Sequence, residues 1–307
     1  MDWDFEVDVV CTGDGIGGLA TAIVAADDGL DVLVVRSRVG AVLDGGCAVA
    51  APAHPWMVDV VDSDTNDYFA SLSAGMAPQS WAGCRGDVPV RVVQSMAVVE
   101  SRRIEPFYGA KLKEWAASCL ASPYGFLSTR ISGRCPTTKM KTSGGETIEV
   151  AVIGSLETGA GVIDSAALVD WLLGQVSERP IDLMDAAALQ RIVFEDGEPV
   201  GAVFATPDGT CAVRARRMLM VAPTGGPDTA RPVVALDEHE SVRVCLVMQS
   251  ASRFGRVELL ATAPEAASLR PTCAAVNRKL LDSLHDTRQN SAQPRCRKAH
   301  RYPPVGQ

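Results

Sequence analysis

A glycine-rich turn near the start of the chain constrains the fold more than any other stretch. A buried strand before the turn is predicted by Phe5, Val7, Val9 and Val10, and residues 19–26 follow the turn as a helix of small and apolar side chains. Residues 31–36 then predict a second strand. The turn has the spacing G-x-G-x-x-G, formed by Gly13, Gly15 and Gly18. The order strand, turn, helix, strand is typical of a dinucleotide-binding unit.

Each glycine has a separate physical purpose in such a unit. Gly13 makes the tight turn away from the strand, Gly15 lets the backbone approach a pyrophosphate, and Gly18 lets the helix pack closely on the sheet. The free N–H groups and the positive end of the helix dipole then face the phosphates. The alternative is a glycine-rich turn that binds nothing, but the elements around the motif favour a nucleotide site.

The end of the second predicted strand leaves the nature of the nucleotide open. Dinucleotide folds commonly place an acidic side chain there, which binds the ribose hydroxyls. This chain has Arg36, Ser37 and Arg38 instead. These residues could bind a 2′-phosphate, which would indicate NADP. Alternatively, the ribose contact is lost or has moved, and the arginines lie at an exposed strand end.

Farther along the chain, the pattern predicts a return to the same sheet. Residues 164–173 predict a helix, and residues 181–184 predict a strand after it. Three strands joined by Asp-Gly turns follow over residues 189–215, which is a β-meander. Residues 217–222 predict a further buried strand. The fold class is therefore α/β, with a Rossmann-like parallel sheet, helices and a β-meander.

The region between these two halves contains weaker signals. Residues 62–74 predict a helix that Ser63 or Asp64 could cap. Residues 88–93 predict a strand, which Pro89 restricts to an edge or a strand start.

Charge and composition limit the compartment and the partners. The net charge of −8 and the pI near 5.1 argue against a general nucleic-acid binder, whose surface would be basic. No apolar run of about 18 residues exists, so we predict no membrane span. The acidic N-terminus lacks the basic region of a secretory signal. The nine scattered cysteines contain no C-x-x-C pair, which favours free thiols in a cytoplasmic setting, and no His/Cys cluster indicates a metal.

Two stretches together resemble one known family. Residues 8–35 resemble the N-terminal FAD-binding unit of the fumarate reductase and succinate dehydrogenase flavoproteins, a family that includes the 3-ketosteroid dehydrogenases. Residues 168–226 resemble the returning segment of the same family, which ends in Ala-Thr-Gly-Gly. That end reads Ala-Pro-Thr-Gly-Gly here, at residues 222–226. Either stretch alone would be a weak signal, but the pair is specific.

The resemblance implies bound FAD. The three turn glycines would hold its pyrophosphate, and Gly45 and Gly46 would lie near the flavin. Backbone near Ala188 would contact the adenine, and Thr224 and Gly225 would lie next to the cofactor.

The resemblance also implies a reaction, namely hydride transfer between flavin N5 and a carbon pair beside a carbonyl or carboxylate. The flavin supplies this chemistry and the protein supplies orientation and proton transfer. The substrate would be a small molecule, either steroid-like or carboxylated. No motif identifies a catalytic residue, because packing or surface roles account for the available side chains, which are Arg103, Tyr108, Tyr124 and Arg130.

The chain departs from the family in ways that leave alternatives open. Arg36 stands where the family has an acid, and no glycine-rich closing segment follows Gly226, so the substrate or cap region is reduced. These departures favour a non-catalytic descendant of the fold, a subunit or binding module with a protein partner or a second copy of the chain. A third hypothesis is an NADP-linked reductase.

We predict three regions along the chain. Residues 1–226 form the FAD-binding domain with an insertion at about 51–150, residues 227–287 form a small C-terminal region, and residues 288–307 form a basic flexible tail.

Overall fold

The computed structural model describes residues 2–37, 60, 62–76, 88–94, 109–130, 136–157, 162–163, 165–186, 188–223, 234–235, 241–249, 251–262 and 270–271. The chain divides into one unit from Met1 to Arg270 and a second from Pro271 to Gln307. Nearly all of the second unit, including the predicted basic tail, lies outside the described residues. The domain boundaries predicted from the sequence stay predictions.

The described residues form helices and strands with the following bounds. The helices are α1 (Ile16–Asp27), α2 (Ser63–Leu72), α3 (Ala110–Leu120) and α4 (Ser165–Ser177). The strands of the first half are β1 (Phe5–Thr12), β2 (Val32–Ser37), β3 (Val90–Val93), β4 (Gly125–Ser128), β5 (Thr138–Lys141), β6 (Thr147–Glu157) and β7 (Val162–Ile163). The strands of the second half are β8 (Ile181–Ala186), β9 (Ala188–Glu195), β10 (Glu198–Thr206), β11 (Gly209–Val221), β12 (Val234–Ala235), β13 (Ser241–Met248), β14 (Phe254–Thr262) and β15 (Arg270–Pro271).

One large mixed sheet contains most of the strands. Its order is β5-β6-β13-β14-β4-β11-β1-β2-β8, and the strands β11, β1, β2 and β8 run parallel to one another. The strands beyond β11 pair antiparallel, while β3 joins β14 in parallel. The four parallel strands confirm the predicted α/β fold with a parallel sheet. The short strands β7 and β12 pair outside this sheet.

Helix α1 is buried on every side. All of its residues from Ile16 to Ala25 are buried, and they are small or apolar except for Thr21, whose Oγ1 donates to the carbonyl oxygen of Gly17 at 2.8 Å. The helix contacts β1 and β2, but also β4, β6, β13, β14 and α4. A helix that is apolar all round must be covered all round. Strands from both halves of the chain therefore pack against α1 and share one core.

Strand β11 corrects one prediction from the sequence. We predicted a meander strand to residue 215 and a separate strand at 217–222, but the structure joins them into Gly209–Val221. The register against β1 shifts there, because Ala215 pairs with Val7 and Met218 pairs with Val9. The two arginines between these pairs form a β-bulge, and Arg216 binds Asp8 at 3.1 Å. Charged residues at a bulge resemble a strand end when only the sequence is read.

Helices α2 and α3 lie on the face of the sheet opposite α1 and α4. The N-cap of α2 is Asp62 rather than Ser63 or Asp64, since its Oδ2 accepts from the Thr65 amide at 2.9 Å and from the Thr65 hydroxyl at 2.6 Å. The same hydroxyl oxygen accepts from the Ile192 amide at 2.8 Å, which attaches α2 to β9. In the described part of the chain, no helix is both long and apolar enough to cross a membrane.

Candidate functional site

The turn after β1 lies at the carboxyl edge of the parallel strands. The Gly13 amide donates to the carbonyl oxygen of Val35 in β2 at 3.0 Å, and the Ala222 amide, just after β11, donates to the carbonyl oxygen of Thr12 at 3.1 Å. The turn is therefore held between the ends of two neighbouring strands. Ligands of open α/β sheets bind outside this edge.

Close contacts explain two of the three motif glycines. Gly13 has a φ of +101°, and a Cβ atom there would lie 2.5 Å from the carbonyl oxygen of Ala222. A Cβ atom on Gly18 would overlap the carbonyl oxygen of Gly13. These contacts agree with the tight turn and the close helix packing that we predicted. The part of both residues in holding a pyrophosphate stays a prediction.

Gly15 is a different case, because its backbone does not require glycine. It is the N-cap of α1 with φ −66° and ψ 169°, a conformation that any residue adopts, and it is buried. Gly15 has no side chain to cap the helix, and the first turn of α1 has no acidic residue. The first-turn amides of a helix have no acceptors within the helix, and they lie at the positive end of its dipole. Such an end is suited to an anion such as a phosphate.

Gly17 was not singled out in the sequence. A Cβ atom there would lie 2.5 Å from the carbonyl oxygen of Gly125, at the start of β4. Gly17 thus brings α1 against the antiparallel part of the sheet, while Gly18 brings it against the turn. The adjacent glycines were visible in the sequence, but the partner at residue 125 is too distant for a local motif to reveal.

The end of β2 carries an ion pair with the neighbouring strand. Arg36 pairs in register with Asp185 of β8, and its Nη2 lies 2.8 Å from Asp185 Oδ1. The Arg36 Nε is buried and has no hydrogen-bond partner. A buried donor without an acceptor costs about 1–3 kcal/mol. Asp185 therefore balances the charge of Arg36, which weakens the interpretation of Arg36 as a 2′-phosphate ligand. The Nε donor of Arg36 stays unsatisfied.

The other predicted cofactor residues are less informative. Ser37 ends β2 in register with Ala186, and Ala188 begins β9 and pairs with Ala205 of β10. Their contacts with a nucleotide stay predictions. Gly45, Gly46, Thr224 and Gly225 lie outside the described residues, as does Arg38.

The side chains considered for catalysis remain unassigned. Tyr124 is 0% exposed, in keeping with a packing role, and Arg130 is half-buried. Arg103 and Tyr108 lie outside the described residues. Within the described ranges, no group of three or more His, Cys, Asp or Glu side chains is placed to hold a metal ion.

A buried ionic cluster, which the sequence did not reveal, joins β3 and β14. Glu258 is 1% exposed, and its carboxylate accepts from Arg91 Nη2 at 2.9 Å and from Arg256 Nε at 2.6 Å. Burial alone would raise the pKa of Glu258, but the two guanidinium groups hold it below its usual value. The Arg256 guanidinium also lies over the ring of Trp115 in α3, 5.3 Å from its centroid. Arg91 and Glu258 are distant in sequence, so no spacing could predict the pair.

Comparisons with known proteins agree with this geometry. A family model described as an FAD binding domain matches residues 8–248. No curated protein matches the chain significantly.

Several solved structures show weak overall likeness to the chain. The 3-ketosteroid-Δ4-(5α)-dehydrogenase from Rhodococcus jostii RHA1, solved with 4-androstene-3,17-dione, is 20% identical with a TM-score of 0.29, over 71% of this chain and 46% of that one. The aklavinone-11 hydroxylase, solved with FAD and aklavinone, is 20% identical with a TM-score of 0.26, over 70% and 32%. A myxobacterial chondrochloren halogenase is 13% identical with a TM-score of 0.28, over 90% and 57%. The chain spans less than two thirds of the length of each.

Proposed function

Since the chain belongs to the FAD-binding-domain family of the fumarate reductase and succinate dehydrogenase flavoproteins, we propose that it is an FAD-dependent oxidoreductase. The family match includes both stretches in which the resemblance was found, and FAD is the cofactor that it indicates. The resemblance inferred from the sequence is therefore confirmed. The reaction, the substrate and the site residues belong to the proposal.

The observation that supports the proposal best is the uncapped N-terminus of α1 at the carboxyl edge of the parallel strands. Gly13 and Gly18 are held so closely that side chains would not fit, and Gly15 begins the helix without a capping group. The backbone of these three residues fits a pyrophosphate, because free amides and the helix dipole would stabilise its negative charge. Gly45, Gly46, Ala188, Thr224 and Gly225 complete the proposed cofactor site.

The proposed reaction is the dehydrogenation or reduction of a carbon–carbon bond beside a carbonyl or carboxylate. When bound, FAD supplies the hydride chemistry at its N5 atom. The chain would hold the dinucleotide against α1 and orient the flavin towards a small steroid-like or carboxylated substrate. The resemblance to the family supports this reaction class.

A non-catalytic member of the same fold is the second candidate. Arg36 stands where dinucleotide folds commonly place a ribose-binding acid. Such a member would bind FAD weakly or not at all.

An absorbance spectrum of the purified protein tests the proposal. After incubation with FAD and removal of free cofactor, we expect flavin bands that remain with the protein. We also expect Gly15→Ala to lose the bands while its circular dichroism spectrum stays unchanged, because the backbone conformation at Gly15 suits alanine and a methyl group there would narrow the space proposed for the pyrophosphate. A wild-type protein that retains no flavin would contradict the proposal.

A second measurement separates the two candidates. Anaerobic incubation of the flavin-loaded protein with a panel of 3-ketosteroids and dicarboxylates should bleach the flavin bands if one of them is oxidised. Two results together would favour the non-catalytic candidate. The first is that no compound of either class reduces the bound flavin. The second is that the reduced flavin transfers hydride to none of their unsaturated forms.

A further inference from the structure

We infer that Asp185 is the carboxylate that recognises the ribose of the adenosine half of FAD, in place of the acid that β2 lacks. The inference rests on the proposed function, because it assigns a role within the same cofactor site. It goes beyond the family pattern, since it moves this recognition from β2 to the neighbouring strand β8.

The sheet places Asp185 at the same edge as the glycine turn. Val35 of β2 accepts the hydrogen bond from the Gly13 amide, and Arg36 is the next residue along the strand. Asp185 lies directly opposite Arg36 in the parallel register of β2 and β8. Compared with the usual acid at the end of β2, this carboxylate therefore lies one strand away, a distance of about 4.8 Å. It is still at the carboxyl edge, where ligands bind.

The ion pair between Arg36 and Asp185 determines the local charge at the carboxyl ends of β2 and β8. The Arg36 guanidinium contacts Asp185 at 2.8 Å, and their side chains are 39% and 38% exposed, so both can meet a ligand from solvent. A paired guanidinium gives little net attraction for a 2′-phosphate, whereas the carboxylate can accept hydrogen bonds from two ribose hydroxyls. The corner is therefore suited to an unphosphorylated ribose, as in FAD.

The buried Arg36 Nε gives a second, independent observation. It is the one buried side-chain nitrogen or oxygen in the described part of the chain without a hydrogen-bond partner. Buried polar atoms are nearly always satisfied, so an acceptor is missing from this corner. A ribose oxygen is an acceptor of the right kind beside the carboxylate.

Titration of the full-length protein with FAD, followed by flavin fluorescence, tests the inference. Asp185→Asn should weaken FAD binding by about 10- to 100-fold, because a charge-assisted hydrogen bond is lost. Asp182→Asn is the matched control, since Asp182 lies exposed on the same strand opposite Leu33, away from the carboxyl edge. It should bind FAD as the wild type does.

A double variant separates recognition of the ribose from simple neutralisation of Arg36. If Asp185 only balances Arg36, then Arg36→Gln combined with Asp185→Asn should bind FAD as tightly as Arg36→Gln alone. If Asp185 contacts the ribose, the double variant should stay about 10-fold weaker than Arg36→Gln or more. Circular dichroism confirms that each variant is folded.

A competition assay adds a readout of ribose chemistry. In the wild type, ADP-ribose should displace FAD at least as well as its 2′-phosphorylated form does. In Asp185→Asn the order should reverse, because the released arginine attracts the 2′-phosphate. FAD binding to the wild type with no effect of Asp185→Asn, or with full rescue in the double variant, would overturn the inference alone. Failure of the wild type to bind FAD would overturn the proposed function together with it.

Discussion

Gly18 lies where α1 passes over the carbonyl oxygen of Gly13, and this contact leads to a prediction at the scale of one residue. The methyl group of Gly18→Ala would overlap the carbonyl oxygen of Gly13. Because the obstacle is backbone, the helix or the turn must shift, and we expect a loss of about 1–3 kcal/mol in the free energy of unfolding. Urea denaturation of the protein without FAD measures it.

The control is the corresponding substitution in α4. A Cβ atom on Gly174 would meet nothing within 4 Å, and its helical backbone suits alanine. Gly174→Ala should therefore stabilise the protein, by about 0.5–1 kcal/mol. Equal effects of the two substitutions would show that the contact at Gly18 is not a close one.

The ionic cluster of Glu258 acts at the scale of elements, since it joins β3, β14 and the helix α3 that lies beside them. Glu258→Gln would leave the partly buried guanidinium groups of Arg91 and Arg256 without their shared carboxylate. Breaking a buried ion pair on one side costs about 3–5 kcal/mol. We expect a loss of that order, measured by urea denaturation.

Glu195→Gln provides the comparison at the surface. Glu195 pairs with Arg214 at 3.1 Å, but its side chain is 49% exposed. Exposed pairs contribute about 0–1 kcal/mol, so the change should be small. A loss as large as that of Glu258→Gln would contradict the role assigned to burial.

The same cluster predicts a dependence of stability on pH. The pKa of Glu258 is lower in the folded protein than its usual 4.5, so its contribution is complete above that value and is lost as the pH falls through the folded-state pKa. The unfolding free energy should therefore fall from pH 5 to pH 3 more steeply in the wild type than in Glu258→Gln. Asp8 and Asp62, whose pKa values are also lowered, are present in both proteins and cancel in the difference. Parallel pH profiles would contradict the prediction.

Local patterns predicted the elements whose cause is local. The unit β1–α1–β2 and the turns of the meander follow from glycine spacing, apolar runs and Asp-Gly pairs in the sequence. The bulge at Arg216 was missed, because the residues that satisfy it, Asp8 in β1 and Asp31 just before β2, are distant from it in sequence. The cluster of Glu258 was missed for the same reason. Charged residues far apart in sequence give no local sign that they meet.

At the scale of the whole molecule, FAD should stabilise the fold by binding the native state alone. With free FAD at 100 times the Kd, the gain is about 2.7 kcal/mol. For a chain of this size we expect a rise in Tm of about 4 °C, measured by differential scanning calorimetry. FMN lacks the adenosine half, so it should raise the Tm less. A Tm that does not respond to FAD would contradict the assigned cofactor.

The proposed cofactor site could be predicted only in part from the sequence. The glycine motif marked the turn because it depends on adjacent residues. Arg36 was identified as the departure from the usual pattern, but its partner Asp185 could not be found, because only the sheet brings β2 and β8 together. Gly17 needed its contact with Gly125 before it had a meaning.

Strand β11 pairs with two different strands along its length. Its first half pairs with β10 and its second half with β1, and the residue after it, Ala222, contacts Gly13. Deleting one residue at the bulge would turn the side chains of one half to the wrong face of the sheet. If the pairing with β1 were kept, the hairpin with β10 would have to slide. If the hairpin were kept, Ala222 would withdraw from the glycine turn. Length variation among relatives should therefore collect at the Asp208–Gly209 loop and not along the strand.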